Sequence, residues 1–160
     1  MRITALVCPA ALVAAACQAP QPDTVTSSEA SVIEAEVRGA LAAIPPDLAR
    51  SGPEAWLPHF DDADFVMASE GGMKFASFAE ARAAMEAFGP TIDEMVLVWH
   101  DIRVAVHTQH VASFGARYDE LLVDKAGQEV HFTGYVTGLL RQTEAGWRIA
   151  ELHWSMKTPS

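Results

Sequence analysis

Four long segments with a two-residue hydrophobic period constrain the fold of this chain more than any other feature. Joints this short predict antiparallel neighbours, because parallel strands need crossover connections of a dozen or more residues. The predicted strands run from Asp93 to His107, His110 to Val123, Glu129 to Arg141 and Trp147 to Lys157. The joints are Thr108-Gln109, Asp124-Lys125-Ala126-Gly127 and Thr143-Glu144-Ala145-Gly146, all polar or glycine-bearing.

The first predicted helix covers Glu29 to Ile44. Ser28 or Ser31 is suited to cap it, and Pro45-Pro46 is expected to end it. Its buried stripe is predicted to be Ile33, Val37, Leu41 and Ile44.

Two further helices and a hairpin are predicted before the strands. A short helix has Pro53 in its first turn, and a longer one lies between Ser77-x-x-Glu80, a capping-box spacing, and Gly89-Pro90. Between them, residues 64–69 and 74–76 indicate a hairpin. Helices followed by a meander of strands are typical of an α+β domain, in which the sheet buries one face against the helices.

The last predicted strand carries apolar residues on both parities. Trp147 and Ile149 form one row, and Ala150, Leu152, Trp154 and Met156 form the other. One interpretation is a sheet apolar on both faces, with a homodimer covering the outer face. The other is a local bulge that switches the parity.

The N-terminus has the features of a bacterial export signal. Arg2 precedes an apolar run from Ile3 to Val13, and Ala14-Ala15-Ala16 and Cys17 follow, which resembles a lipobox. We therefore expect a signal peptide over residues 1–16, a lipidated Cys17 beginning a flexible tether over 17–28, and one domain over 29–160. The protein is then expected to be exported to the bacterial cell envelope.

Composition excludes several classes of partner and site. The net charge is −10 and no cluster of Lys and Arg occurs, so nucleic acid is not expected as a partner, and membrane contact is expected only through the anchor. Both cysteines, Cys8 and Cys17, precede the domain, which excludes a disulfide or a cysteine-ligated zinc site within it. No phosphate loop, nucleophile elbow or dinucleotide fingerprint occurs, and we expect no cofactor.

The C-terminal strands carry a family resemblance. Gly146-Trp147-Arg148-Ile149-x-x-x-His153-x-Ser155, preceded by Tyr135-x-Thr137, resembles the last strands of small SnoaL-like proteins. With the order of elements, residues 29–157 resemble the nuclear transport factor 2-like superfamily, which includes ketosteroid-isomerase-like proteins. The resemblance implies an α+β cone, in which a curved antiparallel sheet packs on three N-terminal helices around a pocket. It does not imply one activity, because the superfamily contains enzymes and proteins without known activity.

In such a cone, Tyr135, Thr137, His153 and Ser155 share parities that could point them inward as one polar, ligand-orienting patch. Alternatively, these groups satisfy one another and only order the core. Aromatic and methionine side chains are predicted either to line a lipophilic pocket or to form ordinary core. They are Trp56, Phe60, Phe78, Met85, Phe88, Trp99, Phe114 and Tyr118, of which Trp56 and Tyr118 are the candidate ligand contacts.

Acid–base candidates are few. The family's isomerases place an aspartate on the first strand after the second helix, where this chain is apolar between Asp64 and Glu70. His59 with Asp61, Asp62 or Asp64 is the available His/Asp pair, although an Asp61-Asp62-Ala63-Asp64 run more often forms a solvated loop that caps or turns. His107-x-x-His110 lacks an evident third ligand, and no metal site is expected.

Two functions remain open at this point. The first is an envelope protein without evident catalysis that binds a small apolar ligand or acts as an accessory protein at the envelope. The second is an acid–base enzyme of dehydratase, cyclase or isomerase type on a small lipophilic substrate, using His153 and Tyr135 with His59 or Asp64.

Overall fold

A computed structural model describes residues 25–70 and 72–156 of the chain. The predicted signal peptide, Cys17 and the tether up to residue 24 lie outside these residues. None of the helices among the described residues combines the length and the apolar character needed to cross a bilayer.

Helix α1 spans Ser27–Ser51 and is longer than predicted at both ends. Its cap is Thr26 rather than Ser28 or Ser31: the Thr26 hydroxyl accepts from the Glu29 amide, and the Glu29 carboxylate accepts from the Thr26 amide, a complete capping box. The last two residues assigned to the tether are therefore helical. The predicted stripe is buried, and Leu48 extends it.

The prediction that Pro45-Pro46 ends this helix is wrong. Pro45 has no N–H to donate to the Leu41 carbonyl, but the indole Nε1 of Trp99 donates to that oxygen at 3.1 Å. Pro46 likewise frees the carbonyl of Ala42, which lies on the exposed side of the helix, where water can bond it. With the Leu41 carbonyl bonded and the Ala42 carbonyl on the solvent side, burial of Ile44 and Leu48 holds the helix together across the prolines.

The remaining helical segments follow the predictions. A 3₁₀ helix spans Pro53–His59, and α2 spans Phe78–Phe88. The Ser77 hydroxyl accepts from the Glu80 amide at 3.3 Å, while the Glu80 carboxylate accepts from the Ala76 amide at 2.9 Å. A second short 3₁₀ turn, Gly89–Thr91, leads into the long strands.

Six strands form one curved sheet. Its order is β2-β1-β6-β5-β4-β3, with β1 parallel to β6 and every other pair antiparallel. The strand bounds are β1 Val66–Ser69, β2 Gly72–Phe75, β3 Ile92–Thr108, β4 Val111–Asp124, β5 Glu129–Thr143 and β6 Gly146–Met156. The predicted meander and hairpin are both present, with ends shifted by a few residues.

A bulge in β6 explains the two apolar parities of the last strand. Leu140 pairs with Ile149 and Leu139 pairs with Glu151, so Ala150 is an extra residue. After it the parity switches, and Ile149, Leu152 and Trp154 are all buried on the inner face. The alternative interpretation, a bulge, is confirmed, and the inference that β6 presents a second apolar row to the outside is wrong.

The inner, concave face of the sheet packs on the helices. α1 lies against β3, and the Trp147 indole Nε1 donates to the Glu36 carboxylate at 3.0 Å, which ties α1 to β6. Trp56 stacks on Phe60 at 5.6 Å between ring centroids and meets Trp154 edge-on at 5.9 Å. This aromatic cluster forms one side of a hollow whose other side includes Met85 and Phe88 of α2.

Candidate functional site

The candidate site is the hollow between the inner face of the sheet, the 3₁₀ helix and α2. Its volume is about 160 Å³. One carboxylic acid, Glu120, lies in its otherwise apolar wall, and Lys74 lies at its exposed rim. The lining residues are Pro53, Trp56, Phe60, Met67, Lys74, Phe75, Met85, Phe88, Met95, Glu120, Leu122, Leu152 and Trp154.

The alternation of strand β4 turns Glu120 inward. Ala116 and Tyr118 precede it on the same face and are buried, and Leu122 follows it. Its cross-strand partners, Leu97 on β3 and Phe132 on β5, are both apolar. The carboxyl is thus surrounded on the sheet by side chains that offer it no hydrogen bond.

The surroundings of Glu120 oppose its ionisation. Burial raises the pKa of its carboxyl from the ordinary value of 4.5 to about 7. Within the described part of the chain, its carboxylate has no salt bridge and no side-chain hydrogen bond. A carboxyl in this state can donate a hydrogen bond when protonated and accept one when ionised, close to neutral pH.

Tyr118, a predicted ligand contact, lies beneath the hollow and does not line it. Its ring is 1% exposed and lies 4.2 Å from the ring of Trp154, between centroids. The hydroxyl donates to the Ser155 carbonyl at 3.4 Å, and burial raises the pKa of this phenol to about 12. Tyr118 is therefore a protonated core residue. Trp56, the other predicted aromatic contact, does line the hollow.

The four residues of the predicted polar patch are neighbours, but they lie on the outer face of the sheet. Tyr135 pairs with Ser155 and Thr137 with His153, which confirms their register. However, Tyr135 is 63% exposed, and Thr137 and His153 are exposed as well. The predicted inward orientation is wrong, because the intervening residues, Val136 and Trp154, occupy the inner face. Ser155 donates to the Tyr135 carbonyl at 3.1 Å and does not contact His153 through its hydroxyl.

His59 pairs with an aspartate that the sequence did not suggest. Its Nε2 lies 2.9 Å from Asp47 Oδ2 on α1, and burial lowers the pKa of His59 below 6.5, although hydrogen bonding to Asp47 opposes that shift. The pair joins α1 to the 3₁₀ helix, away from the hollow.

The three predicted partners of His59 have other roles or are exposed. Asp61 accepts from the Ala63 amide at 3.1 Å as a turn residue, Asp62 is exposed, and Asp64 forms an ion pair with Arg141. The aspartate run does form a turn, with Asp62 and Asp64 exposed but Asp61 buried rather than solvated, and the predicted pairing of His59 with these residues is wrong.

His107 and His110 make separate contacts. His107 Nε2 lies 2.8 Å from the Ser113 hydroxyl, and His110 Nδ1 lies 3.0 Å from Gln142 Oε1. Among residues 25–70 and 72–156, no group of three or more His, Cys, Asp or Glu is arranged to hold a metal ion.

A signal for Glu120 is present in the sequence, although Glu120 is not among the predicted site residues. Phe114, Ala116, Tyr118, Glu120 and Leu122 share one parity of β4, so Glu120 is a single acid in an inward apolar row. A charged residue at a predicted core position is a functional-site candidate when no partner offsets its burial.

Comparison with known proteins identifies the architecture. No family model and no curated protein matches the sequence. Among solved structures, a nuclear transport factor 2-like superfamily protein from Salmonella enterica is 16% identical, with a TM-score of 0.68 over 81% of this chain and 94% of that one. A protein from Novosphingobium aromaticivorans, provisionally assigned as a scytalone dehydratase, is 9% identical, with a TM-score of 0.73 over 83% of this chain and 89% of that one.

A third similar structure comes from Streptomyces avermitilis and is provisionally assigned as a dehydratase of the same fold family. It is 16% identical, with a TM-score of 0.67 over 81% of this chain and 99% of that one. Identities this low establish the fold and not the activity. The chain has the nuclear transport factor 2-like α+β cone fold that its C-terminal strands predicted.

Proposed function

We propose that the protein binds a small, mainly apolar molecule in the cone, and that a polar group of this molecule pairs with Glu120. The observation that carries this proposal is the unpartnered Glu120 carboxyl in an apolar wall. Glu120 is half-buried, and its carboxyl is partly desolvated and bonded to no protein group among the described residues. A ligand that offers this carboxyl a hydrogen bond inside the hollow offsets the cost of its desolvation.

Size and wall chemistry narrow the ligand class. A volume of about 160 Å³ accommodates one ring, and the Trp56, Phe60 and Trp154 side chains provide aromatic contact surface. The ligand that fits is therefore a single-ring compound with a hydroxyl or amino group. Because Trp56 and Trp154 contact the hollow, binding should alter the intrinsic tryptophan fluorescence.

Phenol and toluene form a matched pair of probes for this test. Wild-type protein should bind phenol more tightly, and Glu120→Leu should weaken phenol binding about tenfold while leaving toluene binding unchanged or tighter. The control is Glu94→Leu, which removes an exposed carboxylate from β3. Saturable binding of neither probe, or equal phenol affinity in wild type and Glu120→Leu, would refute the proposal.

A second candidate function is acid–base catalysis in the same hollow. The specific observation in its favour is that the pKa of Glu120 lies near 7, where one carboxyl can both take and return a proton. Glu120 replaces the earlier candidates His153, Tyr135, His59 and Asp64, which do not reach the hollow. Two of the similar structures carry provisional dehydratase assignments, which is compatible with such chemistry.

Proton exchange tests this second candidate directly. Wild-type protein in D₂O should accelerate deuterium uptake beside the carbonyl of cyclohexanone, and Glu120→Gln should lose that acceleration by about 100-fold. Glu94→Gln serves as the control. Phenol binding without accelerated exchange would leave a binding protein and exclude this reaction.

Export and lipid anchoring are proposed on the sequence alone. Arg2, the apolar run, the small residues and Cys17 support acylation of Cys17, which would place the domain at the cell envelope on a short tether. Cys17→Ser should move the protein from the membrane fraction to the soluble fraction. Unchanged membrane retention would contradict the anchor.

Homodimerisation through the outer face also remains a proposal, now on different grounds. Val98, Met73 and Tyr135 are large outer-face side chains that are 43%, 64% and 63% exposed. Arg103 and Arg117 flank the same face, and Glu151 lies further across it. A second copy rotated by a two-fold axis could cover these side chains and pair opposite charges. Thr137→Arg, at the centre of this face, should convert a dimer to a monomer in gel filtration; a monomeric wild type at micromolar concentration would contradict the proposal.

A further inference from the structure

A second hollow continues from the first along the inner face of the sheet. It is open to solvent, has a volume of about 520 Å³, and shares Phe88 and Leu122 with the Glu120 hollow. Phe88 comes from the last turn of α2, and Leu122 comes from β4. These two side chains form the boundary between an inner compartment that contains Glu120 and an outer compartment near the β4–β5 turn.

The outer compartment has an apolar floor that water would cover in the absence of a ligand. Val130 is 47% exposed and Phe88 is 38% exposed, and both rank among the large exposed hydrophobic residues of the described chain. Ile92 and Phe132 complete this floor. Exposed apolar side chains that line a concavity mark a binding surface more strongly than scattered ones do.

Charged groups are confined to the rim of the outer compartment. The Asp124 carboxylate accepts from the amides of Ala126 and Gln128 at 2.8 and 2.9 Å, which closes the β4–β5 turn. Lys125 lies beside it on the same turn. The floor itself offers no side-chain hydrogen bond, so the group that rests on it is apolar.

The register of the sheet gives the path between the compartments. Glu120 pairs with Phe132, and Leu122, two residues further along β4, pairs with Val130. Two residues of strand cover roughly 7 Å, which is the reach of a short alkyl chain. A ring placed beside Glu120 can therefore extend a substituent past Phe88 onto Val130.

We infer that the natural ligand is an elongated amphipathic molecule whose polar ring lies in the inner compartment and whose apolar tail lies between Phe88 and Val130. This inference rests on the proposed binding function and names its ligand class. Continuity of the two hollows favours a single ligand over two independent ones.

A series of 4-alkylphenols, from phenol to 4-hexylphenol, tests the inference. For wild-type protein the affinity should rise about fourfold for each methylene that becomes buried, and the increase should continue through the hexyl chain. Val130→Asp places a charge on the floor of the outer compartment and should abolish the gain from the longer chains without changing the affinity for phenol. Val98→Asp is the matched control, because it introduces the same charge at a similarly exposed valine on the outer face.

The possible outcomes distinguish failure of this inference from failure of the proposed binding function. Phenol binding with no increase along the series overturns the two-compartment ligand and leaves the proposed function intact. An increase that Val130→Asp and Val98→Asp reduce equally also overturns it, since the tail would then not rest on Val130. Absence of binding by every member overturns the proposed function and this inference together.

Discussion

The two faces of strand β4 place neighbouring acids in opposite environments. Asp119 points outward, is solvent-exposed, and lies 2.6 Å from His100 Nε2. Glu120, the next residue, points inward among apolar side chains, and burial raises the pKa of its carboxyl to about 7. The chemistry of a carboxyl in this sheet therefore depends on the parity of its position more than on its type.

The contrast extends across the whole sheet. The outer face carries polar and charged groups that bond one another in water, such as Arg117 with Asp101 at 2.9 Å and His107 with Ser113 at 2.8 Å. The inner face carries aromatic and aliphatic side chains, with Glu120 as an ionisable group at its hollow. We therefore expect outer-face substitutions to be nearly neutral for the isolated domain and inner-face substitutions to alter stability or binding.

The largest difference in stability is expected between two glycine substitutions, one on β5 where a side chain would clash and one on β4 where there is room for it. A Cβ at Gly134 would clash with the Ser155 carbonyl oxygen, whereas a Cβ at Gly115 would approach only the Thr137 methyl at 3.7 Å. Gly134→Ala should lower the free energy of unfolding by about 3 kcal/mol, and Gly115→Ala should change it by less than about 0.5 kcal/mol. Urea unfolding measures both, and similar losses would contradict the close approach at Gly134.

Neutralising Glu120 and Asp119 of β4 in turn should give the next largest difference in the free energy of unfolding. The pKa of Glu120 is raised in the folded state, so between about pH 4.5 and 7 the folded chain holds a proton that the unfolded chain has released. The contribution of Glu120 to stability therefore falls as pH rises through this window. Glu120→Gln should therefore exceed wild type by on the order of 2 kcal/mol at pH 8 and match it near pH 4. Lys74, which lines the same hollow, and Tyr118 and Glu70, which lie near it, remain unchanged in the variant.

Asp119→Asn is the outer-face counterpart of that experiment. It removes the exposed pair with His100 and should change stability by less than about 1 kcal/mol at pH 8. Equal responses of Glu120→Gln and Asp119→Asn to pH would contradict the difference between the faces.

Removing a hydrogen bond made by a ring nitrogen should cost more stability on the inner face than on the outer face, and this difference should be smaller than the previous two. Trp99→Phe removes the donor to the Leu41 carbonyl inside α1 and should cost about 1.5 kcal/mol. His107→Ala removes an exposed contact with Ser113 on the outer face and should cost less than about 0.5 kcal/mol. Thermal or urea unfolding compares them, and a neutral Trp99→Phe would show that water replaces the indole.

The smallest effect is expected for the polar patch of the outer face. His153→Ala and Tyr135→Phe should leave the affinity for phenol within about twofold of wild type, because neither side chain lines the inner hollow. A tenfold loss of affinity in either variant would restore the prediction that these residues orient the ligand.

Elements with a strong period were predictable from the sequence. The four long strands and the α1 stripe repeat apolar residues at intervals that only one secondary structure satisfies. The continuation of α1 through Pro45 was not predictable, because it depends on the Trp99 indole, which lies 58 residues after its acceptor Leu41 in the chain. Local rules describe what proline removes, and only the tertiary structure shows what replaces it.

The candidate site was less predictable than the fold because side-chain direction depends on single residues. The resemblance assigned Tyr135 and His153 to the interior, and the parity of β5 and β6 places them outside. Glu120 could have been found by following the parity of β4 outward from Phe114 and Tyr118. His59 could not have been matched with Asp47 from the sequence, since a helix terminus and a 3₁₀ turn bring them together.

The extra residue at Ala150 determines which residues of the last strand face inward. Upstream of it, odd-numbered residues of β6 face the helices, and downstream even-numbered residues do. If the strand ran through Ala150 without the bulge, every later residue would exchange faces, and Leu152 and Trp154 would be presented to water while His153 entered the cone. Deleting Ala150 itself would remove the bulge and keep Leu152 and Trp154 inside. An alignment with a homologue that lacks this residue therefore needs its gap at Ala150, because a gap a few positions away would assign the residues in between to the wrong face of the strand.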